Sequence, residues 1–556
     1  MALSAPERHA RNVATPLLIL LIIGVAAPLV MVLIRALTGY GDQPSALPEL
    51  TNPHHLRTLG NTIVLGVMVV AIATAMAAPL AFLMSWTRMR SHRWIDVVVM
   101  LPFMTPPYVS AMAWIDLTRY NGLGDQFFGA TGGDLLRFII MSPFGMALIM
   151  ASEVFTFLYL ILRNYLDSVP ASSDEAAAVA GASAGQRFRL ILLPLCTPTY
   201  SLGALIVFIR AVGEFGTPVT LGNQIGFPVL VSEIYRSVTI NPLDFPTAAA
   251  LSSVLLALGC TVWVIQQWVS RKEHPFGGRA QRRTTVTLNR RTATAGWFWF
   301  GLVAVVSVVI PYVGIFLGAM TLLRSQPITL DNLTFDYFGL VLQSAGGQQA
   351  LTNSTLLALI ATTLATMVGI ATTLASTRLK HHPLGRSIDL LAVGPDTVPT
   401  IVLAIGLIFL WNAPWLPATP YNSPAMLVLG YTLVLLPMIV QNIKTSRSTI
   451  DERYLEAAIT SGATGVQTFF RITLPLLMPG IIAGWLLGLL LAFREVVISS
   501  LLRPASYELL SPWIMSQFDQ GFRAEAMAMT VIGVLGSAGV LVLVDTMRRR
   551  YFEKRD

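Results

Sequence analysis

The feature that most constrains this chain is an apolar run long enough to cross a bilayer, occurring twelve times. A helix needs ~20 mainly apolar residues to span the hydrocarbon core, and lipid offers no partner to an open backbone, so such runs must be helical. They lie near 15–37, 61–86, 96–117, 141–162, 199–221 and 246–269. A second set lies near 296–323, 353–377, 388–411, 424–443, 480–502 and 526–547. Composition agrees, with 54% of residues hydrophobic, 12% charged and a mean hydropathy of +0.66. A soluble chain of this size needs a far more charged surface. The expectation is an all-α integral membrane protein with twelve transmembrane helices. The first run is too long for a signal-peptide core and lacks a convincing small-x-small cleavage site, so it counts as a span.

The net charge of +8 follows from membrane orientation. With the N-terminus inside, most of the 37 Lys and Arg residues fall on inner segments, as the positive-inside rule requires. Clusters such as Arg88–Arg90–Arg93 and Arg548–Arg549–Arg550 end up beside anionic headgroups. Membrane lipid is the implied partner, nucleic acid is not needed, and both termini are expected in the cytoplasm. Two cysteines, Cys196 and Cys260, make no disulfide framework.

Residues 270–294, "SRKEHPFGGRAQRRTTVTLNRRTAT", carry seven basic residues and the breakers Pro275, Gly277 and Gly278. This places a basic cytoplasmic linker at 270–295, between a first half, 1–269, and a second half, 296–556. Each half holds six runs, and the halves match. "LGNTIVLG" at 59–66 opens the second span of one, and "LTNSTLLA" at 351–358 opens that of the other. Ile95-Asp96 answers Ile388-Asp389, and Pro102, Pro106 and Pro107 answer Pro395 and Pro399. An even number of spans per half makes the repeat parallel, the kind that builds a pathway between its copies.

The sharpest match is not apolar. "DEAAAVAGASAGQRFRLILLP" at 174–194 and "LEAAITSGATGVQTFFRITLP" at 455–475 align without gaps at an offset of 281 residues. Both fall on the inner side between the fourth and fifth spans. Thr449 with Glu452, and Ser172 with Glu175, have capping-box spacing. Gly181 and Gly462 can stop the helix in a left-handed position. Ser183 with Gln186, and Thr464 with Gln467, start a second short helix, which Pro194 and Pro475 are expected to end. Each segment thus reads as two short helices hinged at a glycine, either an amphipathic connector on the headgroups or a docking element for another protein.

These segments resemble the "EAA" coupling loop of permeases from binding-protein-dependent ABC importers. Glu175, Ala176, Ala177 and Gly181 match its pattern, as do Glu456, Ala457, Ala458 and Gly462. The resemblance implies two fused six-helix permease halves of the type I importer fold, covering nearly the whole chain. It also implies two copies of a separate P-loop ATPase, one per loop, and a periplasmic or lipid-anchored solute-binding protein in a bacterial inner membrane. ATP and Mg would be bound by the ATPase, with no cofactor on this chain. None of the four lysines, Lys272, Lys380, Lys444 and Lys554, follows a glycine, so no phosphate-binding loop is present and the chain is not itself the enzyme.

Charges within spans are expensive and usually functional or paired. Glu214, in "FIRAVGEFGTPVTLG", and Glu495, in "LLAFREVVISSLLRP", share the 281-residue offset and fall in the fifth runs. Arg210 lies one helical turn before Glu214, and Arg494 is adjacent to Glu495. The carboxylates either line a translocation pathway or brace the fifth spans. Both stretches are similar to the ferric-iron branch of the permease family, which implies ferric iron as cargo. "VVISSLLRP" departs from the usual Leu-Pro-Ala-Thr turn, and thiamine, phosphonate, polyamine and sulfate permeases share much of the motif. His54-His55 and His381-His382 read as loop histidines, and no Cys–His grouping has metal-ligand spacing. The rival from another class is a twelve-span secondary transporter, which needs no docking loop.

Overall fold

The computed structural model describes residues 14–92, 94–169, 176–177, 179–271 and 290–553. In the first half α1 is Ala14–Thr38, α2 Pro53–Trp86, α3 Trp94–Met104, α4 Pro107–Leu117, α5 Leu123–Ile140 and α6 Pro143–Ser168. Then come α7 Gly185–Val212, α8 Leu230–Thr239 and α9 Phe245–Ser270. In the second half α10 is Arg290–Met320, α11 Ala345–Arg378, α12 Pro383–Val393, α13 Thr400–Trp411 and α14 Pro424–Ser448. They are followed by α15 Glu452–Thr460, α16 Gly465–Arg494, α17 Val497–Leu502, α18 Leu510–Asp519 and α19 Arg523–Glu553. No strand occurs among the described residues.

Among the described residues, nine helices are long and apolar enough to cross a membrane: α1, α2, α6, α7, α9, α10, α11, α14 and α16. The third run of each half departs from expectation. It is a pair of helices rather than one span, bent by 93° between α3 and α4 and by 116° between the segment opening with α12 and α13. Proline favours the break, because it disfavours helical backbone in the residue before it. Val398 is accordingly extended ahead of Pro399, at φ −101° and ψ 127°. The second limb of each pair is wholly interior, with Tyr108–Asp116 and Ile401–Leu410 buried throughout. Counting each pair as one span gives eleven; the twelfth run lies on α19, a helix of 31 residues.

Pro194 and Pro475 do not end a helix. Each sits inside one of the fifth spans, which start earlier than their apolar runs, at Gly185 and Gly465. A π turn solves the proline problem. Leu193 N–H donates to the Phe188 carbonyl, and Leu474 N–H to the Phe469 carbonyl, five residues back rather than four. The wider turn accommodates a ring that would otherwise clash with the carbonyl four residues earlier. The same device precedes Pro28 in α1, over Ile22–Ala26, and Pro311 in α10, over Val305–Val309. First and fifth spans of both halves therefore share one irregularity, each proline following its π turn at the same distance.

The chain packs as two compact units. One comprises Glu49–Asn241 and Val254–Phe335. In it α2, α6 and α7 pack on one another, and α10 packs on α4. The other comprises Met1–Pro48, Pro242–Ser253 and Asp336–Asp556, with α11, α14 and α16 packed together and α1 on α13. The first span of each sequence half thus packs with helices of the other half. Small residues permit the approach: a Cβ on Gly406 would lie 2.4 Å from the Pro28 carbonyl oxygen, and one on Gly314 would lie 3.2 Å from Ala113. On α16, Gly480, Gly484 and Gly488 form a small-residue ladder against α14, where a Cβ on Gly480 would meet Ser446 at 2.4 Å.

Candidate functional site

The repeated segments after α6 and α14 keep the helix–glycine–helix form. Glu175 and Ser172 lie outside the described residues, as does most of the linker, 272–289. Gly181 and Gly462 adopt φ of +84° and +79°. The helix ahead of each closes with an N–H bonding five residues back, Ala182 to Ala177 and Ala463 to Ala458, both at 3.0 Å. This is the Schellman ending that a left-handed glycine permits. A Cβ at either glycine would meet nothing within 4 Å, so backbone conformation alone demands glycine there. The second helix starts as a reciprocal capping box in both copies: Ser183 N–H donates to Gln186 Oε1 at 2.8 Å, and Thr464 N–H to Gln467 Oε1 at 2.9 Å.

The first capping box is different. Thr449 turns back to donate to the Ser446 carbonyl, and Asp451 caps α15 by accepting from Arg453 N–H at 3.0 Å. Glu452 is engaged by Arg447 at 2.5 Å. An aspartate adjoining the helix start caps better than a threonine two positions further back, and the charged partner draws Glu452 away. Glu456 and Ala457 are exposed, as is Ala176, while Ala458 faces inward. Apolar side chains stand out around them: Val179 is 91% exposed, Val466 68% and Phe470 61%.

Glu214 and Glu495 are not inside the fifth spans but just past their ends. α7 stops at Val212 and α16 at Arg494. Glu214 accepts from Gly216 N–H at 2.6 Å and from Thr217 N–H at 3.1 Å. Glu495 accepts from Val497, Ile498 and Ser499 N–H at 3.1, 2.9 and 3.3 Å. Both carboxylates therefore cap the short helical segment that follows, where the first free N–H groups need an acceptor and favour negative charge. Arg210 lies with its guanidinium 5.1 Å from the Phe157 ring centroid. Arg494 is the last residue of α16.

The segment each glutamate opens is pinned at its far end by residues from the two matching stretches that open the second spans. Asn61 Nδ2 donates to the Pro228 carbonyl at 2.9 Å, and Thr62 Oγ1 accepts from Leu230 N–H at 2.9 Å. Asn353 and Ser354 do the same for the Glu508 carbonyl and Leu510 N–H, at 2.9 and 2.7 Å. The paired Asn-Thr and Asn-Ser were the available signal. Each unit thus holds a re-entrant loop, capped by a glutamate at one end and clamped to the second span at the other. It lies against the buried limb of the bent pair: a Cβ on Gly216 would sit 2.7 Å from Tyr108 N, and α17 packs on α13.

A family model described as binding-protein-dependent transport system inner membrane component matches residues 69–274 and again residues 365–555. The chain belongs to that family and carries its domain twice. It is 23% identical over 499 residues to the ferric transport system permease protein FbpB of Actinobacillus pleuropneumoniae, covering 88% of this chain and 71% of the relative. Against the Fe(3+)-transport system permease protein FbpB 2 of Haemophilus influenzae the identity is 24%, covering 89% and 90%. A probable molybdenum ABC transporter permease protein of Haloferax volcanii is 30% identical over 266 residues, covering 47% of this chain and 95% of the relative. The protein is a multi-pass inner-membrane permease with two fused type I halves.

Proposed function

We propose that this chain carries ferric iron across the inner membrane, received from a solute-binding protein and driven by two copies of a separate P-loop ATPase. ATP and Mg bind that ATPase, and this chain hydrolyses nothing. The observation that carries the reading is the doubled inner segment. Two equivalent, exposed helix–glycine–helix elements with apolar side chains outward are what a pair of identical ATPase subunits would grip. Glu175, Ala176, Ala177 and Gly181 serve one subunit, and Glu456, Ala457, Ala458 and Gly462 the other. The halves 1–269 and 296–556 are the two repeats, joined by the linker 270–295, with both termini in the cytoplasm.

The cargo assignment is supported by length of similarity. Relatives named for ferric transport match along most of the fused chain, whereas a sulfate permease matches only 34% of it and a polyamine permease 36%. Ferric iron is substrate in this scheme, not a resident metal. Glu214 and Glu495, with Arg210 and Arg494 beside them, are the charged groups proposed to line its route. Each glutamate holds its loop by backbone hydrogen bonds and places negative charge at the end of a fifth span. The test is uptake by vesicles holding the chain, its ATPase and its binding protein. Radiolabelled ferric iron should accumulate only with ATP and both partners present. Accumulation driven by a proton gradient without ATPase would instead make the chain a secondary transporter. Uptake of sulfate or a polyamine in place of iron would overturn the cargo.

A further inference from the structure

In both units an ion pair near the end of the fourth span ties that span to the first limb of the bent pair. Arg163, on α6, reaches Asp96, on α3, at 2.5 Å, and Tyr159 donates to the same carboxylate oxygen at 2.5 Å. Lys444, on α14, bonds Asp389, on α12. Arg163 and Lys444 share the 281-residue offset of the coupling segments, and Asp96 and Asp389 are the repeated Ile-Asp pair. The pairs are half-buried or better, where opposite charges hold more firmly than at an open surface.

Neighbouring charges extend each pair along its fourth span. Arg447, three residues after Lys444, holds Glu452 at the start of α15. Arg163 lies 3.8 Å from Asp167, one turn nearer the end of α6. On the other side of each pair, α3 and α12 run into the prolines of the bend, and the buried limbs α4 and α13 carry the glutamate-capped loops. In the second half Arg447 and Lys444, one turn apart on α14, thus link the start of α15 to α12, and in the first half Arg163 holds Asp167 and Asp96 together across α6 and α3.

We propose that Asp96–Arg163 and Asp389–Lys444 are twin struts that convert movement of the coupling segments into movement of the bent pairs. Arg163 and Lys444 are positioning residues; neither touches cargo. Without the strut, the fourth span can shift with the ATPase while the bent pair stays behind. The proposal rests on the importer reading given above, because it requires an ATPase pulling on α15 and its counterpart.

The experiment uses the full chain with its ATPase and binding protein in lipid vesicles. It measures complex assembly, basal ATP hydrolysis, and ferric iron taken up per ATP. Asp389→Asn and Lys444→Gln should each leave assembly and basal hydrolysis intact and lower uptake per ATP about tenfold, within the ~5–150-fold span of ordinary coupling between sites. The exchanged pair Asp389→Lys with Lys444→Asp should recover most of it, because the strut needs opposite charges and not their order. Unchanged uptake per ATP in the single variants would sink the proposal. So would loss of assembly that the exchanged pair does not repair, since the pair would then serve folding. Absence of ATP-driven uptake in the unaltered chain would strike the importer reading itself, a result distinguishable from either.

Discussion

Gly462 and Gly181 occupy left-handed backbone in open surroundings, so a substitution there tests conformation and not space. An L-residue in that region costs about 1–2 kcal/mol, and a β-branched one more, whereas Asn is tolerated. Gly462→Val should leave membrane insertion intact and abolish stimulation of ATP hydrolysis by loaded binding protein; Gly462→Asn should retain most of it. Equal stimulation in both variants would separate the turn from coupling. Glu495 presents a different case. Its two oxygens accept three N–H groups, and a Gln side chain keeps one acceptor while turning an amide donor toward the others. Losing an N-cap costs about 0.5–2 kcal/mol. Glu495→Gln should therefore preserve assembly but loosen the loop from Val497 onward, seen as faster amide exchange there, with uptake reduced. If exchange is unaltered while uptake falls, the charge acts on cargo and not through the cap.

At the scale of the element, the π turn ahead of Pro475 adds one residue to the turn joining the proposed coupling segment to the rest of α16. One residue is about 100° of helix rotation. Replacing Pro475 by Ala removes the ring that clashes with a regular turn and restores an N–H, so the helix can return to ordinary bonding. Everything on its inner side would then be turned by that angle, moving Phe470 and Val466 off the face they now present. Pro475→Ala should weaken ATPase binding. Deleting Arg471 in the same variant should restore it, because a regular helix one residue shorter returns the segment to its original phase. Measured affinity for the ATPase checks both; no recovery on deletion would mean that phase is not what the π turn sets.

For the whole molecule, the division by sequence repeat and the division by packing are different partitions. The first span, α1, packs on α13, and α10 packs on α4. A chain cut within the linker should therefore not yield two independent pieces. Either fragment expressed alone leaves one span without its packing face, and should be degraded or aggregate. Co-expressed fragments should co-purify and support uptake. A first fragment that purifies alone with α1 protected from protease would contradict this packing.

Local physics determined what the sequence could reveal. Apolar length forces helices in lipid, an i to i+3 side chain reaches its capping N–H, and only glycine takes a left-handed turn cheaply. Most of the spans, the repeat, the glycine turns and the Ser183–Gln186 and Thr464–Gln467 boxes were legible for that reason. What tertiary structure decided depends on groups remote in the chain or on competition between neighbours. Asn61 and Thr62 find partners at Pro228 and Leu230, 167 and 168 residues away. Glu214 and Glu495 leave the helix because the re-entrant segments offer them N–H groups. A proline marks a disturbed helix in sequence, but whether it ends the helix, bends it or widens one turn is settled by the packing around it. Near Pro102, for example, the Thr156 hydroxyl on α6 donates to the Val99 carbonyl at 2.8 Å, a partner that no reading of α3 alone could supply.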